Sequence, residues 1–222
     1  MLICKYTKLH PAHYASHLDT LRAVMAAIRR ANLKVEFSDG FNPHMRLFFS
    51  LPLPLGVESK AEFFAVDTNE PAKDFMTRFN AVAPTGIKIL NAKAGSKDSM
   101  YSDVHSAEYK ITFEGITYEQ LAKYTDAVMQ SSEYNITYAH KGISKTVEVR
   151  GKILDLVVNN NQNSTLMATL RHGNVNLSIL RIAEDVCNYA GGKVFYRAVK
   201  LRVCSVNNSS FKITKNNGKV LK

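Results

Sequence analysis

The 222 residues include 45% hydrophobic, 9% aromatic and 22% charged side chains, ordinary proportions for a globular chain and unlike those of a disordered one. No apolar run approaches the roughly 20 residues that cross a bilayer, so no membrane partner is expected, and Met1-Leu2-Ile3-Cys4-Lys5-Tyr6 reads as a strand rather than a secretory signal. A net charge of +10 favours a polyanionic partner, nucleic acid first.

In chain order, Leu2 to Thr7 forms a first strand. A helix follows from Ala15 to Ala31, with Leu18, Leu21, Met25 and Ile28 recurring at helical spacing and Ser16, three residues before Asp19, as its cap. Val35 and Phe37 alternate with polar residues as a short extended segment, and Asp39-Gly40 signals a turn. Met45 to Leu51 is an apolar strand halted by Pro52 and Pro54. A strand over Glu62 to Thr68, a helix opening at Pro71 and a strand over Ile87 to Ala92 complete a βαββαβ order.

Residues 94–105 are polar and irregular, which places a boundary there. The second half repeats the order: a strand at Tyr109–Phe113, a helix at Tyr118–Ser131, short strands or one interrupted hairpin at Ile136–Ala139 and Thr146–Val149, a strand at Leu166–Leu170, a helix at Leu177–Tyr189 and a closing strand at Val194–Val203. The expected fold is α+β, two tandem ferredoxin-like (βαββαβ) halves with antiparallel sheets. The domains are 1–95, 105–206 and a basic flexible tail at 207–222. No acidic residue follows Asp185, whereas Lys193, Arg197, Lys200, Arg202, Lys212, Lys215, Lys219 and Lys222 do.

The three cysteines, Cys4, Cys187 and Cys204, are too widely spaced for a zinc ribbon, an iron–sulfur site or a disulfide framework. They read as inert thiols in a reducing cytoplasm, and no cofactor is expected.

The densest unusual segments are His10-Pro11-Ala12-His13-Tyr14-Ala15-Ser16-His17-Leu18-Asp19 and Ser38-Asp39-Gly40-Phe41-Asn42-Pro43-His44-Met45-Arg46. Arg22 and Arg29, seven residues apart, share one face of the first helix, and Arg30 adjoins them. The pattern supports three chemistries. In RNA binding, Arg22, Arg29, Arg30 and Arg46 meet phosphates while Phe41, Asn42, His44 or Tyr14 engage bases. In metal binding, His13 and His17 act at i, i+4 if the helix begins early, although the zincin glutamate is replaced by Tyr14. In general acid–base catalysis, His17 or His44 works with Asp19 as in metal-independent ribonucleases, with no nucleophile or oxyanion arrangement in sight. The plain structural account is a capped helix with a solvated basic face beside a hydrogen-bonded turn.

These residues carry a resemblance. Ser16-His17-Leu18-Asp19, Arg22, Ala27 and Arg29-Arg30-Ala31, then Ser38, Gly40-Phe41-Asn42-Pro43-His44, Arg46 and Leu51-Pro52-Leu53-Pro54-Leu55-Gly56-Val57-Glu58-Ser59, resemble the radical-SAM-linked proteins, a bacterial family of unknown function. Where members have an Arg-Pro pair after a Gly, this chain has Gly173-Asn174-Val175-Asn176. The resemblance implies a protein found beside or fused to a radical SAM enzyme and a role in tRNA or rRNA modification or processing. The chain lacks the closely spaced cysteine triplet of a radical SAM cluster, so it is not that enzyme. The expectation is an RNA-binding accessory module rather than an enzyme in its own right or a protein-docking subunit without RNA contact.

Overall fold

The computed structural model describes residues 1–98, 104–140, 142–160, 164–172, 177–191 and 194–205; the basic segment expected at 207–222 and the Gly173–Asn176 departure lie outside them. The fold is mixed α+β, four helices on a mostly antiparallel sheet. The first half comprises β1 (Leu2–Lys8), α1 (His17–Arg30), β2 (Leu47–Phe49), β3 (Glu58–Val66), α2 (Ala72–Val82) and β4 (Ile87–Ala94). The second comprises β5 (Val104–Glu114), α3 (Tyr118–Gln130), β6 (Asn135–His140), β7 (Ile143–Glu148), β8 (Ile153–Asn160), β9 (Ser164–Arg171), α4 (Ile179–Ala190) and β10 (Phe195–Ser205).

One eight-stranded sheet runs β4-β1-β3-β10-β5-β9-β8, with β2 also on β3. Both β10 and β2 pair with β3, at different heights. Val199 and Lys200 align in parallel with Glu58 and Ser59, whereas Leu47–Phe49 align antiparallel with Val66–Phe64. Between those stretches lies Glu62, whose carboxylate meets the Lys200 ammonium at 2.5 Å.

Alternation along the strands divides the core. Leu2, Cys4, Tyr6, Phe64 and Val66 pack beneath Val24, Ala27 and Ile28 of α1 and Phe75 and Phe79 of α2. Ile3, Phe63 and Ala65 point the other way, against Phe48 and Val203. Tyr109, Ile111, Leu166, Ala168 and Ala198 pack beneath α3 and α4, joined by Leu53 and Val57 from the loop before β3. Lys200 is two residues from Ala198 and Glu62 two from Phe64, so their contact puts both helix pairs on one face of the sheet.

Two local expectations change. The buried stripe of α1 is Thr20, Val24, Ala27 and Ile28, while Leu18 is 62% exposed, because at 3.6 residues per turn it lies about 120° round the helix from Val24. Residues 136–139 and 146–148 lie in a two-stranded hairpin, β6–β7, as the hairpin alternative expects, but that hairpin is outside the main sheet. Their place beside β9 is taken by β8, an edge strand absent from the sequence reading; Leu154 and Val157 remain 41% and 47% exposed on it. Val35–Phe37, expected as a short extended segment, contributes a single bridge, Phe37 to Met45.

Candidate functional site

Ser16 caps α1 as its residue type predicts. Its hydroxyl accepts from the Asp19 amide at 3.1 Å and donates to the Asp19 carboxylate at 2.7 Å. That hydroxyl, with Arg22 at 3.1 Å, holds the Asp19 carboxyl below its ordinary range against the opposing effect of desolvation. Lys8, itself buried, donates to the Ala15 carbonyl at 2.7 Å and so pins the start of the helix to the sheet. Before it, a 3-10 turn at Ala12–Tyr14 lays the His13 ring on Tyr14, 3.8 Å between centroids. Burial, foremost, pushes His13 toward its neutral form, and its Nδ1 has no hydrogen-bond partner among the described residues.

The second motif forms a tight hairpin-like loop. The Ser38 amide donates to the His44 carbonyl at 2.8 Å, and the His44 amide donates to the Ser38 hydroxyl at 2.9 Å. Gly40 adopts φ +108°, a region that disfavours any side chain. At the tip Phe41 is fully exposed, and Asn42 and His44 are exposed beside it. The base is pinned: Met45 is buried under α1, and the Arg46 guanidinium pairs with Asp67 at 3.1 Å.

The two motifs therefore share a side of the sheet, linked through Met45 and through the His17 ring, edge-on to Phe49 at 5.7 Å. Arg22, Arg29, Arg30 and Arg46 are exposed. Arg22 is held by Asp19, Arg46 by Asp67, and Arg30 donates to the Val82 carbonyl at 3.0 Å. Among the described residues no hydrogen bond or ion pair joins His17, Asp19 and His44 to one another, so the acid–base grouping is not assembled. Nor do His13 and His17 share a helical face, because α1 begins at His17 and His13 belongs to the preceding 3-10 turn.

Sequence reasoning missed a buried charge cluster where the halves meet. Glu62 and Lys200 are 3% and 2% exposed, with Lys8 and the phenols of Tyr6 and Tyr109 around Glu62. The Glu62–Lys200 approach is ionic rather than a well-aligned hydrogen bond. Burial, then the Glu62 charge, pushes both phenols up. His172, at the end of β9, is driven down to about 4 by burial and by Lys200. On the far side, burial would raise the Glu58 carboxyl, but Arg197 at 3.0 Å and the His10 amide at 3.0 Å outweigh it and hold it low. In a strand, a Glu or Lys every second residue signals an exposed face, so neither partner advertised its burial.

The profile of a family described as "Uncharacterized protein conserved in bacteria (DUF2344)" matches residues 2–179. The chain belongs to this family. That description names no radical SAM partner. No curated protein matches. Among solved structures, a Cbf5-Nop10-Gar1 complex is similar at 11% identity and TM-score 0.48, over 90% of this chain and 48% of that one. An archaeal box H/ACA sRNP Nop10-Cbf5 complex is similar at 9% identity and TM-score 0.46, over 88% and 46%. This family member thus spans about half the length of those chains.

Proposed function

We propose that this chain is an RNA-binding accessory module of the cytoplasm, built from two ferredoxin-like halves and acting with a radical SAM enzyme in tRNA or rRNA modification or processing. The order β4-β1-β3-β2 in the first half and β10-β5-β9-β8 in the second support the architectural part. The observation that carries the RNA reading is Phe41, wholly exposed at the tip of a loop whose base is fixed. An aromatic ring held in water on a rigid base buries nothing within its own chain, and it is ready to stack on an unpaired base. Asn42 and His44 add hydrogen-bonding groups, and Arg22, Arg29 and Arg46 add charge for the backbone.

Fluorescence anisotropy with single-stranded and hairpin RNA tests this. Affinity is expected to fall steeply between low and physiological salt, as counterion release requires. Phe41→Ala should cost about 1–3 kcal/mol, and Arg22→Ala should lower the salt slope by about 1. No binding at low salt, or full affinity in Phe41→Ala, refutes the reading. A protein-docking role has its own support: Tyr14, Leu18 and Leu55, near the start of α1 and before β3, are 66%, 62% and 61% exposed. Co-purification of a partner that survives ribonuclease treatment and is lost in Leu18→Ser would favour it.

A further inference from the structure

The β6–β7 hairpin stands apart from the main sheet, with α4 beside β6. Between them runs a groove of about 600 Å³. One wall is the consecutive run Ile136–Ala139, and the other is the stripe Ser178, Arg181, Asp185 and Asn188 of α4, with Glu184 alongside. Antiparallel pairing with β7 satisfies one side of β6, so every second residue turns its N–H and C=O away from β7. Among the described residues those groups have no other partner. An open strand edge facing a helix is the geometry that accepts an added strand. Four residues of β6 offer roughly 13 Å of such edge.

The side chains define what enters. The Arg181 guanidinium lies 3.3 Å from the centre of the Tyr138 ring. Its Nη1 is buried with no acceptor among the described residues, a costly state that an incoming carbonyl would relieve. Asp185 is fixed by two phenols, Tyr124 at 3.0 Å and Tyr134 at 2.8 Å, both donating to one oxygen. With Glu184 it makes this groove acidic, in a chain of net charge +10. Phosphates would be repelled here, and lysine or arginine attracted.

We infer that the groove between α4 and β6 captures an extended, basic segment of a partner protein by strand addition. The segment's backbone pairs with β6, one of its carbonyls accepts from Arg181, and a lysine or arginine reaches Glu184 and Asp185.

Labelled octapeptides of alternating Val and Lys, and matched peptides of alternating Val and Glu, test this on the full chain by anisotropy. The Lys peptide should bind and the Glu peptide should not. Glu184→Lys, an exposed change that leaves the urea midpoint in place, should weaken the Lys peptide about tenfold. N-methylation at alternate residues, in the two possible phases, should abolish binding in one phase, because that phase removes the donors to β6. Equal binding of both charge types, indifference to N-methylation in both phases, or displacement of the peptide by an oligouridylate would overturn the inference. Wild-type affinity in Glu184→Lys would do the same.

Discussion

Lys200→Met removes the cation from the centre of the sheet and leaves Glu62 buried. Both side chains are almost fully excluded from water and approach to 2.5 Å. Stranding one member of such a pair costs about 3–5 kcal/mol. Lys8, close enough to Glu62 to feel its charge, keeps part of the compensation, so the lower end, about 3 kcal/mol, is expected. With a urea m-value of about 2 kcal/mol/M, that moves the unfolding midpoint down by about 1.5 M. Far-ultraviolet circular dichroism reads it directly, and tyrosine fluorescence provides a second probe in a chain without tryptophan. The double variant Glu62→Leu with Lys200→Met removes both charges and should recover most of the loss, since an apolar replacement of a buried pair is close to neutral. The coupling between the two sites is thus expected to be large. A midpoint shift under about 0.5 M for Lys200→Met, or a double variant no better than the single, would show that water already reaches the pair.

Three further outcomes are expected. Because His172 titrates near 4 when folded and near 6.5 unfolded, stability holds above pH 6.5 and is lost as pH falls toward 4. The loss is about 2 kcal/mol at pH 5. His172→Asn should flatten that window by this amount in urea titrations run at both pH values, and an unchanged slope contradicts the burial assigned to it. Gly86→Ala should destabilise by about 3 kcal/mol: Gly86 sits at φ +88°, and an added Cβ would lie 2.4 Å from the Leu9 carbonyl oxygen. Thermal unfolding within 1 °C of wild type would rule that contact out. Thr117→Ala breaks the reciprocal cap with Gln120 at the start of α3 and should cost about 1 kcal/mol in the same assay.

Ser16 with Asp19, Gly40 in its turn and Gly191 closing α4 at φ +70° are local devices, and each behaves as its residue type dictates. Helices α1, α3 and α4 fall within two residues of the ranges the apolar spacing implies, because amphipathic period is written in neighbouring residues. The strands were harder. Ile136–Ala139 and Ile153–Asn160 both carry residues that favour strands, yet one joins a separate hairpin and the other the main sheet. Pairing between residues far apart in the chain made that choice.

The motif residues were legible as a set; their company was not. His17, Asp19 and His44 stand out in the sequence, yet the folded chain sends His17 to Phe49, Asp19 to Ser16 and Arg22, and leaves His44 at an exposed loop. The sequence by itself determined the composition, the net positive charge, the helix caps, the turns and the exposed Gly-Phe-Asn-Pro-His loop, since all of these depend on covalent neighbours. Only the tertiary structure decided that Glu62 and Lys200 are buried together, that β10 pairs in parallel with β3, and that β6 and α4 line one groove. Burial and strand partnership depend on residues scores of positions away, and no local pattern encodes them.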